Sequence, residues 1–217
     1  MIACRAEAAS VDVRDVSATV FQIKVTLRGI RPPIWRRLRV PTTLTLGQLH
    51  QALQIAMGWT NSHMHQFCVG RQCFGVPDPD DLWGTPVISE RKIRLDQIAQ
   101  ATARFTYEYD FGDGWTHDIL IERAQAATDV ASDRICTDGR RACPPEDCGG
   151  PYGYTDLVEA LSNPKHPEHD ERREWVGDEW QPEAFDIDLV NKELRLLAAR
   201  WRPKAPGRSR ARRAAND

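Results

Sequence analysis

The segment YEYDFGDGWTHDI, Tyr107 to Ile119, constrains the fold of this chain more than any other. Apolar and polar residues alternate on both sides of a glycine- and aspartate-rich centre, which is the pattern of two paired strands joined by a tight turn. With Gly112-Asp113-Gly114 as the loop, Phe111 faces Trp115, Tyr109 faces His117, Tyr107 faces Ile119 and Phe105 faces Ile121. One face of this hairpin is almost wholly aromatic and aliphatic and belongs in a core. The other pairs Asp110 with Thr116 and sets Glu108 opposite Asp118, a like-charge pair that asks for a cation nearby. Arg36, Arg37 or Arg39 could supply it, and so could a metal ion. The Asp-Phe-Gly string within the segment is not a kinase signature: the chain has no glycine-rich phosphate loop, no paired strand lysine and no His-Arg-Asp set.

The rest of the chain supplies what such a hairpin can pack against. Val20 to Leu27 alternates as a half-buried strand, and RPPIWRRLRVP turns at Pro32-Pro33 into a second strand closed by Pro41, so the two form a first hairpin. Leu46, Leu49, Leu53, Ala56 and Met57 then recur at helical spacing. Thr45 with Gln48 forms a capping box at the start of that helix, and Gly58 ends it. SHMHQFCVGRQCFG returns to period two, and VPDPDDLWGTP is a loop. Phe105 to Glu122 makes the second hairpin. Beyond it lies a long loop dense in Cys, Pro and Gly, followed by three helical stretches, TDLVEALSNP, PEHDERREWVG and DIDLVNKELRLLAARW. The expected fold is α+β: a mixed sheet built from two hairpins around one helix in a β-grasp-like order, then the loop and C-terminal helices. Residues 1–18 form a flexible N-terminal segment, 19–201 a single domain and 202–217 a basic disordered tail.

Charge and composition narrow the function classes. The 217 residues carry a net charge of −2, so no global field draws the chain to nucleic acid, and any such attraction must be local. No apolar run spans a bilayer and the N-terminus lacks a signal-peptide core, which places the protein in the cytoplasm without a membrane partner. In that reducing compartment the six cysteines stand as free thiols or metal ligands rather than disulfides.

Five motifs in order, PPIWRRLRVP, LGQLHQALQIAMGWTNSHMHQF, YEYDFGDGWTHDI, CPPEDCGGPYGY and FDIDLVNKEL, resemble the plasmid pRiA4b ORF-3-like family, whose members also occur as passenger proteins of insertion sequences. The resemblance spans about Val20 to Leu197 and implies an α+β domain of mobile-element association with no established activity. Some relatives bear a resolvase-type label, but the serines of this chain are not set among catalytic arginines as a serine recombinase requires.

Three groups of residues could carry function. His63 and His65, two apart on a strand, share a face and suit two ligands of one divalent metal such as zinc, with His117 as a third. Asp110 and Asp113 are the accompanying carboxylates, and Asp110, Asp113 and His117 are the catalytic candidates. His50 lies on the apolar stripe of its helix and reads as a core residue. Cys136, Cys143 and Cys148, with His166 and His169 downstream, form a separate candidate zinc site, although their spacings differ from a Cys-x2-Cys knuckle. Glu146 and Asp147 sit in the same loop, where they can cap backbone groups or pair with arginines, and they count with Trp115 among the binding candidates. The third group is Trp35 with Arg36, Arg37 and Arg39, joined by the tail arginines Arg208, Arg210, Arg212 and Arg213, which could contact phosphate and stack on bases. Strand alternation puts Arg36 on the face of Ile34 and Leu38, partly buried and paired with acids of the second hairpin. The leading reading is an accessory module that binds nucleic acid or a protein partner. A metal-dependent hydrolase acting on a phosphorylated or nucleotide substrate is the alternative, and a structural interaction domain the third.

Overall fold

A computed structural model describes residues 20–77, 86–126 and 135–201. The N-terminal segment, the basic tail and most of the VPDPDDLWGTP stretch lie outside the described residues. The fold is α+β, built on one eight-stranded sheet. In chain order the strands are β1 (Val20–Leu27), β2 (Trp35–Pro41), β3 (His65–Val69), β4 (Gln72–Gly75), β5 (Val87–Ser89), β6 (Arg104–Tyr109), β7 (Trp115–Gln125) and β8 (Cys136–Arg140). Across the sheet they run β5-β4-β3-β6-β7-β1-β2-β8. Neighbours are antiparallel except β4 and β5. The helices are α1 (Leu46–Met57), α2 (Leu95–Ala101), α3 (Gly150–Ser162), α4 (His169–Val176) and α5 (Ile187–Trp201).

Both expected hairpins form, and α1 lies between them in sequence with its expected caps. The Thr45 hydroxyl accepts from the Gln48 amide while the Gln48 side chain accepts from the Thr45 amide, so two orphan donors are satisfied at once. Gly58 closes the helix at φ +94°. The sheet is nevertheless larger than two hairpins around a helix. It gains β3 and β4 from the SHMHQFCVGRQCFG stretch, then β5 and, from the stretch expected to be loop, β8, which pairs with β2.

The alternation read from sequence decides what is buried. Phe21, Ile23, Val25 and Leu27 of β1, Arg36, Leu38 and Val40 of β2, and Tyr107, Tyr109, Trp115, His117, Ile119 and Ile121 of β6 and β7 all lie in the core. Helix α1 packs over this face, since its Gln54 and His50 reach the Tyr107 hydroxyl and its Ala56 carbonyl accepts from Arg36. Helix α5 packs against α1 and β8, where Asn191 donates to the Cys136 carbonyl and accepts from the Cys136 amide. The opposite face is charged, with Arg37 paired to Glu122 and Arg28 to Asp118.

Two expectations about the second hairpin are corrected. Tyr109, not Phe111, faces Trp115, and the connection runs from Asp110 to Gly114. Asp110 leaves the strand at φ +55° and its carboxylate accepts the Gly112 and Asp113 amides, a local turn that ends the pairing early and leaves Phe111 52% exposed. The displacement is even, so every side chain that remains paired keeps its face. It also separates the like charges: Glu108 faces Thr116 and receives a hydrogen bond from Gln66, while Asp118 faces Thr106 and pairs with Arg28. A third correction concerns the cysteines. Cys68 and Cys73 face each other on β3 and β4 and are joined in a disulfide. Cys136, Cys143 and Cys148 are free thiols.

Candidate functional site

Three of the motifs meet at one end of the sheet. They are the loop after α1 (residues 59–63), the β6–β7 turn (residues 110–114) and the loop before α3 (residues 143–149). Glu146 is the knot that joins them. Its carboxylate accepts from the Thr60 amide and hydroxyl, from the Ser62 hydroxyl at 3.0 Å and from the Tyr109 hydroxyl at 2.6 Å. Burial alone pushes this carboxyl up, but the donors from Thr60, Tyr109 and Ser62 outweigh it and hold Glu146 below the usual carboxylate range. Burial and the bond to Glu146 raise the Tyr109 hydroxyl in turn. Of the two roles expected for Glu146, it takes that of capping a backbone group, the Thr60 amide, and does not pair with an arginine. Trp59 ties the same loops by donating its indole N–H to the Pro144 carbonyl at 3.0 Å. Asp113 accepts the Gly149 amide at 3.1 Å. Gly150 meets the Asp113 carbonyl so closely that a Cβ would stand 2.3 Å from that oxygen, and its φ of +68° also favours glycine.

On this frame His63 stands between two carboxylates. Its Nδ1 is 3.6 Å from Asp110 Oδ1 and its Nε2 3.3 Å from Asp147 Oδ1. Asp110 is buried and Asp147 is 74% exposed on its side chain. Among the described residues this is the one group of three or more His, Cys, Asp or Glu side chains close enough to hold a metal ion.

The other histidines go elsewhere. His63 precedes β3 while His65 begins it, and the two do not share a site: His65 Nε2 bonds Glu90 at 3.0 Å, and its ring stacks on His50 with centroids 3.4 Å apart. His50 Nε2 meets Asn61 Oδ1 at 2.7 Å and its Nδ1 meets the Tyr107 hydroxyl at 2.8 Å. Since Asn61 Oδ1 can only accept, His50 carries its proton on Nε2 and accepts from Tyr107, which in turn accepts from Gln54 at 2.9 Å. Burial, reinforced by His65, depresses His50 to about 4 and keeps it neutral. His117 is wholly buried; its Nδ1 donates to the Tyr107 carbonyl at 3.2 Å, its Nε2 has no partner, and burial depresses it to about 4. It is a core residue and joins neither Asp110 nor Asp113. Glu90 has no signature in the sequence, because nothing local to SERK marks an acid whose carboxylate fits over Gly47 of α1.

The cysteine site is not assembled. Cys136 and Cys143 are buried and Cys148 is half-buried; burial pushes Cys136 up to about 11, Cys148 up to about 12, and Cys143 up as well, so the thiols favour the protonated form. His166 accepts the Glu168 amide and His169 donates to the Ala160 carbonyl, both fixing the turn between α3 and α4.

The arginine group divides. Arg36 is buried, and instead of the expected acids it donates to four carbonyls, those of Trp35, Ala56, Arg140 and Arg141, with its guanidinium 3.9 Å from the Phe185 ring centroid. Ala56 lies in the last turn of α1, where a cation complements the helix dipole. Arg37 lies on the charged face with Glu122 and Asp138, and the Trp35 ring is flanked by Lys24 and Arg37. Arg39 is half-buried on the same face, and Trp115 is buried. The tail arginines lie outside the described residues.

Two cavities flank the junction. On one side His50, His63 and His65, with Glu90, Gln51 and Asn61, line a space of about 560 Å³. On the other, Met57, Trp59, Pro144, Trp180 and Phe185 wall a groove of about 390 Å³ with Leu189 at its lip.

The chain is 42% identical over 191 residues to the uncharacterized protein y4hQ of Sinorhizobium fredii, covering 87% of this chain and 97% of that one. Its fold matches the crystal structure of MM3350, a protein of unknown function from Methanosarcina mazei Go1, with a TM-score of 0.70 and 34% identity, over 78% of this chain and 96% of that one. The model of the plasmid pRiA4b ORF-3-like protein family matches residues 19–189, a span that contains both hairpins, α1 and all three loops of the junction. The chain therefore belongs to the plasmid pRiA4b ORF-3-like protein family.

Proposed function

We propose that the protein is an accessory binding module that takes a protein partner along the apolar groove beside the junction. The groove carries this reading: Trp59, Phe185 and Trp180 offer aromatic walls, and Leu189 is 56% exposed at the lip, on a helix whose Leu194 and Leu197 are buried. An exposed apolar side chain over an aromatic-walled cleft is the arrangement of an anchor site. Glu146 and Asp186 at the rim favour a partner whose apolar anchor is flanked by basic residues. Nucleic acid is the weaker partner, because Arg36 is consumed by carbonyls and Arg37 by acids. The mobile-element association belongs to this same reading.

The test is affinity capture from native extract with the wild-type chain and with Leu189→Asp, a change at an exposed side chain that is expected to keep the thermal midpoint of the wild type. A protein retained by the wild type at high salt and after nuclease treatment, and lost on the variant, is the expected result. Material released by salt or nuclease, or held equally by both chains, overturns the reading in favour of an electrostatic, nucleic-acid-dependent contact.

A further inference from the structure

We propose that His63, Asp110 and Asp147 form a binding site for a divalent transition-metal cation, zinc being the first choice, with an open coordination position for an anionic group. This site is independent of the partner groove and stands or falls separately.

Geometry comes first. One imidazole nitrogen and one oxygen from each carboxylate all lie within 4.8 Å of one another. Neighbouring ligands of a tetrahedral zinc with bonds of about 2.0–2.1 Å are roughly 3.3 Å apart, and His63 Nε2 stands 3.3 Å from Asp147 Oδ1. Asp110 stands against the other ring nitrogen, Nδ1, at 3.6 Å, so the imidazole or the Asp110 carboxylate must turn for all three ligands to close on one ion at Nε2.

A second, independent observation is the state of His63 Nε2. That atom is buried and has no hydrogen-bond partner, although Asp147 Oδ1 stands 3.3 Å away, close in distance but outside hydrogen-bond geometry. A buried polar atom without a partner costs about 1–3 kcal/mol. A cation on Nε2, shared with Asp147, removes that cost and also offsets the charge of the nearby buried Asp110.

The third consideration is preorganisation. Asp110 Oδ1 is fixed by the Gly112 and Asp113 amides, and both Asp110 and Asp147 hold left-handed backbone conformations at φ +55° and +59°. The neighbouring Glu146 is anchored on Thr60, Ser62 and Tyr109, so the loop that carries Asp147 is tethered to the loop that carries His63. The ligands arrive from three separate segments, and an ion would lock the junction as well as use it.

The donor set selects the ion class. A single imidazole with two carboxylates suits zinc or manganese better than calcium or magnesium, which prefer all-oxygen shells. Three protein ligands leave one tetrahedral position free, the pattern of sites that bind or activate something. His63 also lines the cavity of about 560 Å³, so a small anion such as phosphate or a carboxylate entering there could complete the coordination.

The experiment is elemental analysis and zinc titration calorimetry on the full, untagged chain after chelator treatment and dialysis. The variants are Asp147→Asn, His63→Ala and Cys143→Ala/Cys148→Ala. Asp147→Asn is the decisive one, because Asp147 is largely exposed and asparagine tolerates its backbone conformation, so folding is retained. One zinc per chain in the wild type and in the cysteine variant, with affinity reduced at least about tenfold in Asp147→Asn and His63→Ala, is the expected result. Zinc that survives Asp147→Asn but is lost in the cysteine variant overturns the assignment, and so does a wild-type chain that takes up no zinc. In the zinc-loaded protein, inorganic phosphate should compete with bound water and change the titration enthalpy. No change on adding phosphate removes the open position while leaving the cation site intact.

Discussion

His65 is hydrogen-bonded to Glu90 and stacked on His50, whereas His63, two residues earlier, keeps a buried Nε2 without a hydrogen-bond partner. Around His65 the polar groups form a closed set, with Glu90 on one side, His50 stacked on the other, and Tyr107, Gln54 and Asn61 completing the chain of donors and acceptors. Around His63 two carboxylates converge on one imidazole, and the balance of charge and hydrogen bonding is left open. A completed buried network rigidifies a fold, because breaking any member leaves another unsatisfied. An incomplete one is a place where something else can bind. The two regions thus differ less in residue type than in whether their valences are used up.

This contrast can be broken by experiment, since disturbing the completed network should cost stability and disturbing the junction should cost binding. The largest effect is expected from pH. His50, facing His65 and Glu90, and His117, near Arg36 and Asp118, are both held at about 4 against a usual value of 6.5. As pH falls below 6.5 the unfolded chain takes up protons that the folded chain refuses, so stability declines from there toward about pH 4. Between pH 7 and 5 the loss is about 2 kcal/mol per histidine, about 4 kcal/mol together, in urea unfolding at the two pH values. An unchanged unfolding free energy would show that these imidazoles are not kept neutral.

Arg36→Met comes next, with a loss of about 3 kcal/mol or more, because four carbonyls lose their donor in the core. A variant as stable as the wild type would mean that water replaces the guanidinium. Tyr107→Phe should cost about 2 kcal/mol by stranding His50 Nδ1 and the Gln54 amide, measured by thermal or denaturant melting. Asp147→Asn is the smallest, less than about 0.5 kcal/mol in metal-free buffer. If it destabilised the metal-free chain as much as Tyr107→Phe, the junction would be a structural network like the other and the comparison would fail.

Much of the scaffold is legible in the order of the residues. The alternation in β1, β2, β6 and β7 assigns the correct face to each residue, and Thr45, Gln48 and Gly58 mark α1 at both ends. The turn sits elsewhere than expected because Asp110 bonds its own following amides, a local choice that competes with continued pairing. Strand β8 is hidden because Cys136 to Arg140 is short and has little periodicity, and it exists by pairing with β2 and by Asn191 of α5 holding Cys136. Candidate residues fare unevenly for a related reason. His63, Asp110 and Asp147 are all visible as chemistry-bearing residues, yet their grouping is not, since it joins loops up to 84 positions apart.

The sequence by itself determined which residues of the paired strands face inward, where α1 starts and stops, and which family the chain resembles, because periodicity, caps and ordered motifs are properties of contiguous residues. Only the tertiary structure decided that Arg36 is a buried clasp on carbonyls rather than part of a phosphate-binding patch, that His117 is core, and that His63 and His65 separate into different sites. Those outcomes depend on which groups from distant segments meet in a low-dielectric interior, where an unmet hydrogen bond or charge is costly, and no local pattern encodes that meeting.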